Sequence, residues 1–181
     1  MAEINDRRRS QDEKRQLNET KKTIIELDNE IKEIVTTDLG DFDNIRNGNG
    51  YDGQYINEDG RMASSLRKKR NHFYDAKALD GVVYYENKKT KDRIDVYFVC
   101  KYTEQGGGVQ DDIPLEMGRT IENFKKNKDN KFAIFLLEGK YWKPSIIEEA
   151  RFDNKKTFHA TRENLKKVLV EILKSNNIYY V

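Results

Sequence analysis

The chain is poor in the residues that staple, kink or anchor a protein. One cysteine, Cys100, stands among 181 residues. That excludes an intrachain disulfide and a cysteine-based zinc site, and it suits a reducing compartment. Histidine occurs twice, at His72 and His159, with no recognisable metal or triad spacing. No apolar run approaches the roughly 20 residues that span a bilayer. The opening MAEINDRRRSQDEKRQ has no apolar signal-peptide region. These absences point to a soluble, cytoplasmic protein with no membrane partner. A surplus of one charge is also missing: the net charge is +2, so binding a polyanion requires a local patch, not a global field.

What is present suits one domain with an appendage. Apolar and charged residues each make up 36%, which gives a heavily solvated surface over a real core. Residues 1 to about 16 are almost wholly polar, with Arg7, Arg8 and Arg9 in a row. They read as a frayed, solvated helix end, with a phosphate-contacting arm as the alternative. From Leu17 the residues Leu17, Ile24, Leu27, Ile31 and Ile34 recur at helical spacing and form one narrow stripe. Such a seam either pairs with a second copy or packs on the chain's own sheet. Residues 1–37 are therefore an N-terminal helix and a possible dimerisation element. Residues 38–63 carry five glycines and little apolar pattern, and read as a mobile functional loop. None of these glycines precedes a Lys-Ser or Lys-Thr pair, so a P-loop is excluded there.

Residues 64–181 form the expected core domain. Arg67, Lys68, Lys69 and Arg70 stand together. Usually such a run is a solvated face; here it is the first choice for a phosphate-contacting patch. GVVYY (81–85) and IDVYFVCK (94–101) are rich in β-branched and aromatic residues and read as strands. Alternation puts Ile94, Val96, Phe98 and Cys100 on one face of the second strand, and Asp95, Tyr97, Val99 and Lys101 on the other. Pro114 suits the first turn of a helix capped by Asp111 or Asp112. FAIFLLE (132–138) reads as a buried strand, Pro144 as a break, and Trp142 as a core anchor. Thr161 reads as the cap of a last helix with apolar Leu165, Val168, Leu169, Ile172 and Leu173. The order of elements gives an α/β fold with a mixed sheet.

Asp80 opens the first of these strands, Lys101 closes the second 21 residues later, and the glycine-rich turn YTEQGGGVQDD follows. This stretch resembles the active-site region of the PD-(D/E)XK nucleases, the fold of many type II restriction endonucleases. The resemblance is sharp over about 35 residues, architectural over about 100, and absent from the first 60. It implies a restriction-endonuclease-like mixed β-sheet flanked by helices, with a long N-terminal helix. It also implies a Mg2+-dependent endodeoxyribonuclease acting on double-stranded DNA as a homodimer. Asp80 would bind the metal, Lys101 would activate the water, and the backbone carbonyl of Cys100 would be a further ligand. Gly106, Gly107, Gly108 and Gln110 would approach DNA beside the 67–70 segment.

The departure from the pattern falls at position 99. The triplet reads Val99-Cys100-Lys101, and valine supplies no oxygen where the family has an acid. Three readings follow. The missing carboxylate comes from elsewhere, with Glu116 the leading candidate and Glu104 or Asp111 behind it. Alternatively, Val99 is an inactivating substitution in an ordinary enzyme. In the third reading, the domain is a catalytically inactive DNA-binding or assembly subunit. Asp95 shares the strand face of Val99 but lies about 13 Å away at the usual strand rise.

Overall fold

The computed structural model describes residues 11–40, 55–63, 79–104 and 113–180, the side chains of 113–116 excepted. Helix α1 (Gln11–Ile31) opens with Asp12 and Glu13, acids that suit the positive end of a helix. Its stripe is Leu17, Ile24, Leu27 and Ile31, each 1% exposed or less. The stripe packs into one core with Val83 and Tyr85, with Val96, Phe98 and Cys100, and with Leu169 and Ile172. Of the two fates open to the seam, the structure shows packing on the chain's own sheet, and the stripe offers no face to a second copy. Nor are the residues just before Leu17 a frayed end. The helix runs from Gln11, and Gln16 and Thr20 are wholly buried on the same stripe.

A five-stranded sheet follows, its strands side by side in the order 35–39, 81–87, 93–102, 131–138 and 157–160. Strand β1 (Val35–Leu39) pairs antiparallel with β4 (Gly81–Asn87), and β4 pairs antiparallel with β5 (Arg93–Tyr102). Strand β6 (Lys131–Glu138) runs parallel to β5, and β7 (Thr157–Ala160) parallel to β6. Parallel neighbours need crossovers. Helices α2 (Ile113–Lys125) and α3 (Pro144–Ala150) supply them, and α4 (Leu165–Ser175) closes the chain. Strand alternation is as expected: Ile94, Val96, Phe98 and Cys100 enter the α1 core, while Tyr97 and Val99 enter a second core with Met117, Ile121, Phe124 and Trp142. The architecture is thus α/β, a mixed sheet covered on both faces.

Several local expectations are corrected. The 38–63 segment is not uniformly a loop, because Asp38 and Leu39 belong to β1. Further on, Tyr55–Ile56 and Met62–Ala63 pair as a ribbon, strands β2 and β3. The ribbon is docked: Asn123 and Asn127 donate to the carbonyls of Ile56 (3.0 Å) and Gly60 (2.7 Å). Pro144 starts helix α3 instead of merely breaking the chain, as proline does at a first helical position. Thr161 does not cap α4. Its N–H donates to Asn164 Oδ1 at 2.7 Å, and Asn164 is the N-cap residue.

Candidate active site

The carboxyl ends of β5 and β6 meet the start of β4, and the sequence candidates Asp80, Val99, Cys100 and Lys101 gather there. Asp80 is 4% exposed. Its N–H donates to the carbonyl of Phe98 (2.8 Å), and its Oδ2 accepts the N–H of Cys100 (2.6 Å). The aspartate at the mouth of β4 is therefore clasped to the strand one residue before Lys101. A buried carboxylate needs such a donor, since leaving it unpaired costs several kcal/mol. Val99, the third member, is 2% exposed and packs in the second core beside Tyr97, Phe135 and Leu137.

Lys101 is coupled to residues that the sequence did not single out. Its Nζ lies 3.9 Å from Glu13 Oε2, both side chains being mostly covered. Gln16, one turn on, sends its Nε2 toward three acceptors: the carbonyl of Lys101 (3.2 Å), the carbonyl of Leu136 (3.4 Å) and Glu138 Oε1 (3.0 Å). Three acceptors around one nitrogen fix the orientation of the amide. Its Oε1 is buried without a hydrogen-bond partner. Glu138 completes the chain of contacts by accepting Arg162 Nε on Oε2 at 3.0 Å. At the last residue of β5, the Tyr102 hydroxyl donates to the Glu104 carboxylate, and this bond is the first cause of a raised Tyr102 pKa.

A close approach holds the two strand ends together. Gly139 has φ +105°, and a Cβ there would sit 2.1 Å from the carbonyl oxygen of Thr103. Only glycine permits both the conformation and the contact. Thr103 N–H in turn donates to the carbonyl of Glu138 at 2.9 Å.

Helical spacing was the available signal for Glu13 and Gln16. Counting back from Leu17 and Thr20 by four reaches Glu13 and Gln16, so the buried stripe has a polar head. Glu138 and Arg162 carried no comparable signal, because only the parallel register of β5 and β6 brings Tyr102 opposite Glu138. Asp95 is removed from the ligand candidates by its own ion pairs, with Arg93 Nε at 3.1 Å and Lys131 Nζ at 2.6 Å. Glu116 lies on α2, and its side chain is outside the described residues. So do Asp111, Arg67, Lys68, Lys69, Arg70, Gly106, Gly107, Gly108 and Gln110.

The fit to magnesium can be tested on these groups. Magnesium takes about six oxygens, one or two from protein carboxylates and the rest from water and phosphate. Asp80 brings one carboxylate to Cys100, and Val99 brings none. No group of three or more His, Cys, Asp or Glu among the described residues could hold a metal. These residues do not by themselves fit a magnesium site. Among them, too, no helix is long and apolar enough to cross a membrane. No family model, curated protein or solved structure matches the chain.

Proposed function

We propose that the chain is a nuclease-fold protein of the PD-(D/E)XK type that hydrolyses DNA phosphodiester bonds at the Asp80–Lys101 end of its sheet. The observation that carries this reading is the clasp of the Asp80 carboxylate on the N–H of Cys100. It sets a buried acid at the mouth of one strand against the residue that precedes a lysine closing the next. The element order supports it as well: a mixed sheet between helices, with a crossover helix after the second of the two site strands. In hydrolysis a water adds to phosphorus and one P–O bond to the sugar breaks. The Lys101 ammonium suits the negative charge that grows on the phosphate oxygens, and Glu13 holds that ammonium at the strand end. Magnesium dependence belongs to this reading through the family resemblance. It requires a further oxygen ligand, for which Glu116 on α2 is the candidate. Cleavage of both duplex strands would need two copies of the chain, meeting through a surface other than the α1 stripe.

The test is plasmid cleavage with and without Mg2+ by the full chain, by Lys101→Ala and by Asp80→Asn, which keeps a side-chain oxygen for Cys100. Loss of roughly 100-fold in rate per folded molecule in either variant is expected of groups acting at the reacting phosphate. If the chain does not cut and Val99→Glu does not cut either, the hydrolase reading is wrong. A second reading is favoured by Val99 itself, whose burial in an apolar core leaves the triplet without an acid. On that reading the domain binds DNA without turnover, and Lys101→Ala costs only one charge's worth of salt-sensitive affinity.

A further inference from the structure

The opposite end of the sheet carries a second pattern. Three connections converge there: the β4–β5 hairpin, the turn from α2 into β6, and the approach to β7. The register fixes this, since Glu86 stands opposite Arg93, Asp95 opposite Lys131, and Ala133 opposite Thr157. The first two connections share the spelling Lys-Lys-x-Lys-Asp, at 88–92 and 125–129. Across 88–95, 125–131 and 153–156 there are ten lysines and arginines against four aspartates, a surplus of six. The whole chain is +2, so all the rest of it sums to −4. The charge is segregated to one end of the sheet.

That end is also built, not merely decorated. An open cleft of about 370 Å³ is lined by Arg93, Asp95, Lys128, Asp129, Asn130 and Lys131. Asp95, 8% exposed, holds two of the cations at once, Arg93 on Oδ1 and Lys131 on Oδ2. The guanidinium of Arg93 lies 4.5 Å over the ring of Tyr84, and the ammonium of Lys131 lies 5.9 Å over that of Tyr97. Both cations are thus oriented before any ligand arrives, which lowers the ordering cost of binding. Lys128 is exposed and pairs with no acid among the described residues. The turns themselves are tied down: Asn87 Oδ1 accepts the N–H groups of Lys89 and Thr90, and Asp153 Oδ1 accepts those of Lys155, Lys156 and Thr157.

We propose that this lysine-rich end, centred on the Arg93–Lys128–Lys131 cleft, binds the phosphate groups of a nucleic-acid backbone. A metal cation is excluded by the positive surplus. An acidic protein fits less well, because a protein interface needs a dry apolar centre, and the lining of this cleft is charged or polar. A regular polyanion needs only spaced cations. Four adjacent strand ends span roughly 14 Å at the usual 4.8 Å spacing, a length over which duplex DNA carries about eight charges. The site lies about 20 Å from Lys101 along β5, counting six residues of strand rise. It does not depend on the cleavage reading.

The test measures anisotropy of a labelled duplex of roughly 20 base pairs with the full chain across a salt series. Arg93→Gln plus Lys128→Ala removes two cations, one of them half exposed and the other unpaired among the described residues. It should weaken binding about tenfold and lower the salt slope by about two, near 0.9 for each lost phosphate contact. Lys166→Ala removes an exposed cation that is paired with Glu30 and belongs to none of the three lysine-rich segments, and it should leave the slope unchanged. An unchanged affinity and slope in the double variant overturns the proposal. So does an equal loss in Lys166→Ala, which would mean net charge alone. Equal competition from polyglutamate, inorganic phosphate or a mononucleotide at matched charge overturns the assignment to a nucleic-acid backbone. Failure of plasmid cleavage leaves this measurement intact, because it reads binding only.

Discussion

The two ends of the sheet use charge in opposite ways. At the Asp80–Lys101 end, acids and amides point inward and are held by partners far away in sequence. Gln16 reaches Lys101 across 85 residues and Glu138 across 122. At the lysine-rich end, the polar groups that shape the turns also bind their own neighbours, as Asn87 does with Lys89 and Asp153 with Lys155, although Asn87 reaches Ile178 as well and Asp95 holds Lys131. Of the cations there, Lys128 faces outward, while Arg93 and Lys131 are tied to Asp95. A polar group at the first end is part of the packing, so its loss should cost stability. An exposed lysine at the second end, such as Lys128, is spare to the fold, so its loss should cost only what it binds.

The sharpest way to break this contrast is Asp80→Ala. Removing the acceptor of a buried N–H should destabilise by about 2–3 kcal/mol, read as a lower urea midpoint at constant slope. A loss under about 0.5 kcal/mol would mean the clasp does not matter to the fold. Gln16→Ala should cost about 2 kcal/mol: it removes an amide NH2 shared by three acceptors, yet it also removes an unpaired buried carbonyl oxygen. A smaller cost than for Asp80→Ala is therefore expected in the same titration.

At the other end the expected effects are weaker. For Asp153, burial pushes the carboxyl pKa up, but the N–H groups of Lys155, Thr157 and Lys156 and the Thr157 hydroxyl outweigh it and hold it below the ordinary value of 3.8. A pKa lowered by folding adds stability above the unfolded value and loses it as pH falls through the folded one. Melting temperature should therefore drop below about pH 4, and less so in Asp153→Asn. The smallest effect belongs to Lys128→Ala, whose unfolding free energy should stay within about 0.5 kcal/mol of the parent.

Much of the fold was legible because its central elements speak plainly. The apolar runs of β4, β5 and β6 have strand length, and the parity of β5 assigns each side chain to its core. The clasp between Asp80 and Cys100 could be anticipated in outline, from two strands joined by a polar connection. Strand β1 escaped notice: it is five residues long, and only Val35 of them is buried, so no apolar run marks it. Strand β7 is a four-residue edge, too short to announce itself. Glu13 and Gln16 were read as solvent-facing because polar residues at a helix start usually are. Their burial is a tertiary fact, set by where two parallel strands end. Asp95 looked like a spare acid on the site face, and Lys131, on a different strand, is what consumes it.

The reach of Gln16 also bears on how the chain acquires its shape. Its acceptors at Leu136 and Glu138 lie 120 and 122 residues downstream. Helix α1 therefore leaves the ribosome well before β6 exists, with Leu17, Ile24 and Leu27 bare. Loops this long close slowly, and exposed apolar stripes invite wrong partners while they wait. The packing of this helix should therefore be completed only once β6 docks beside β5.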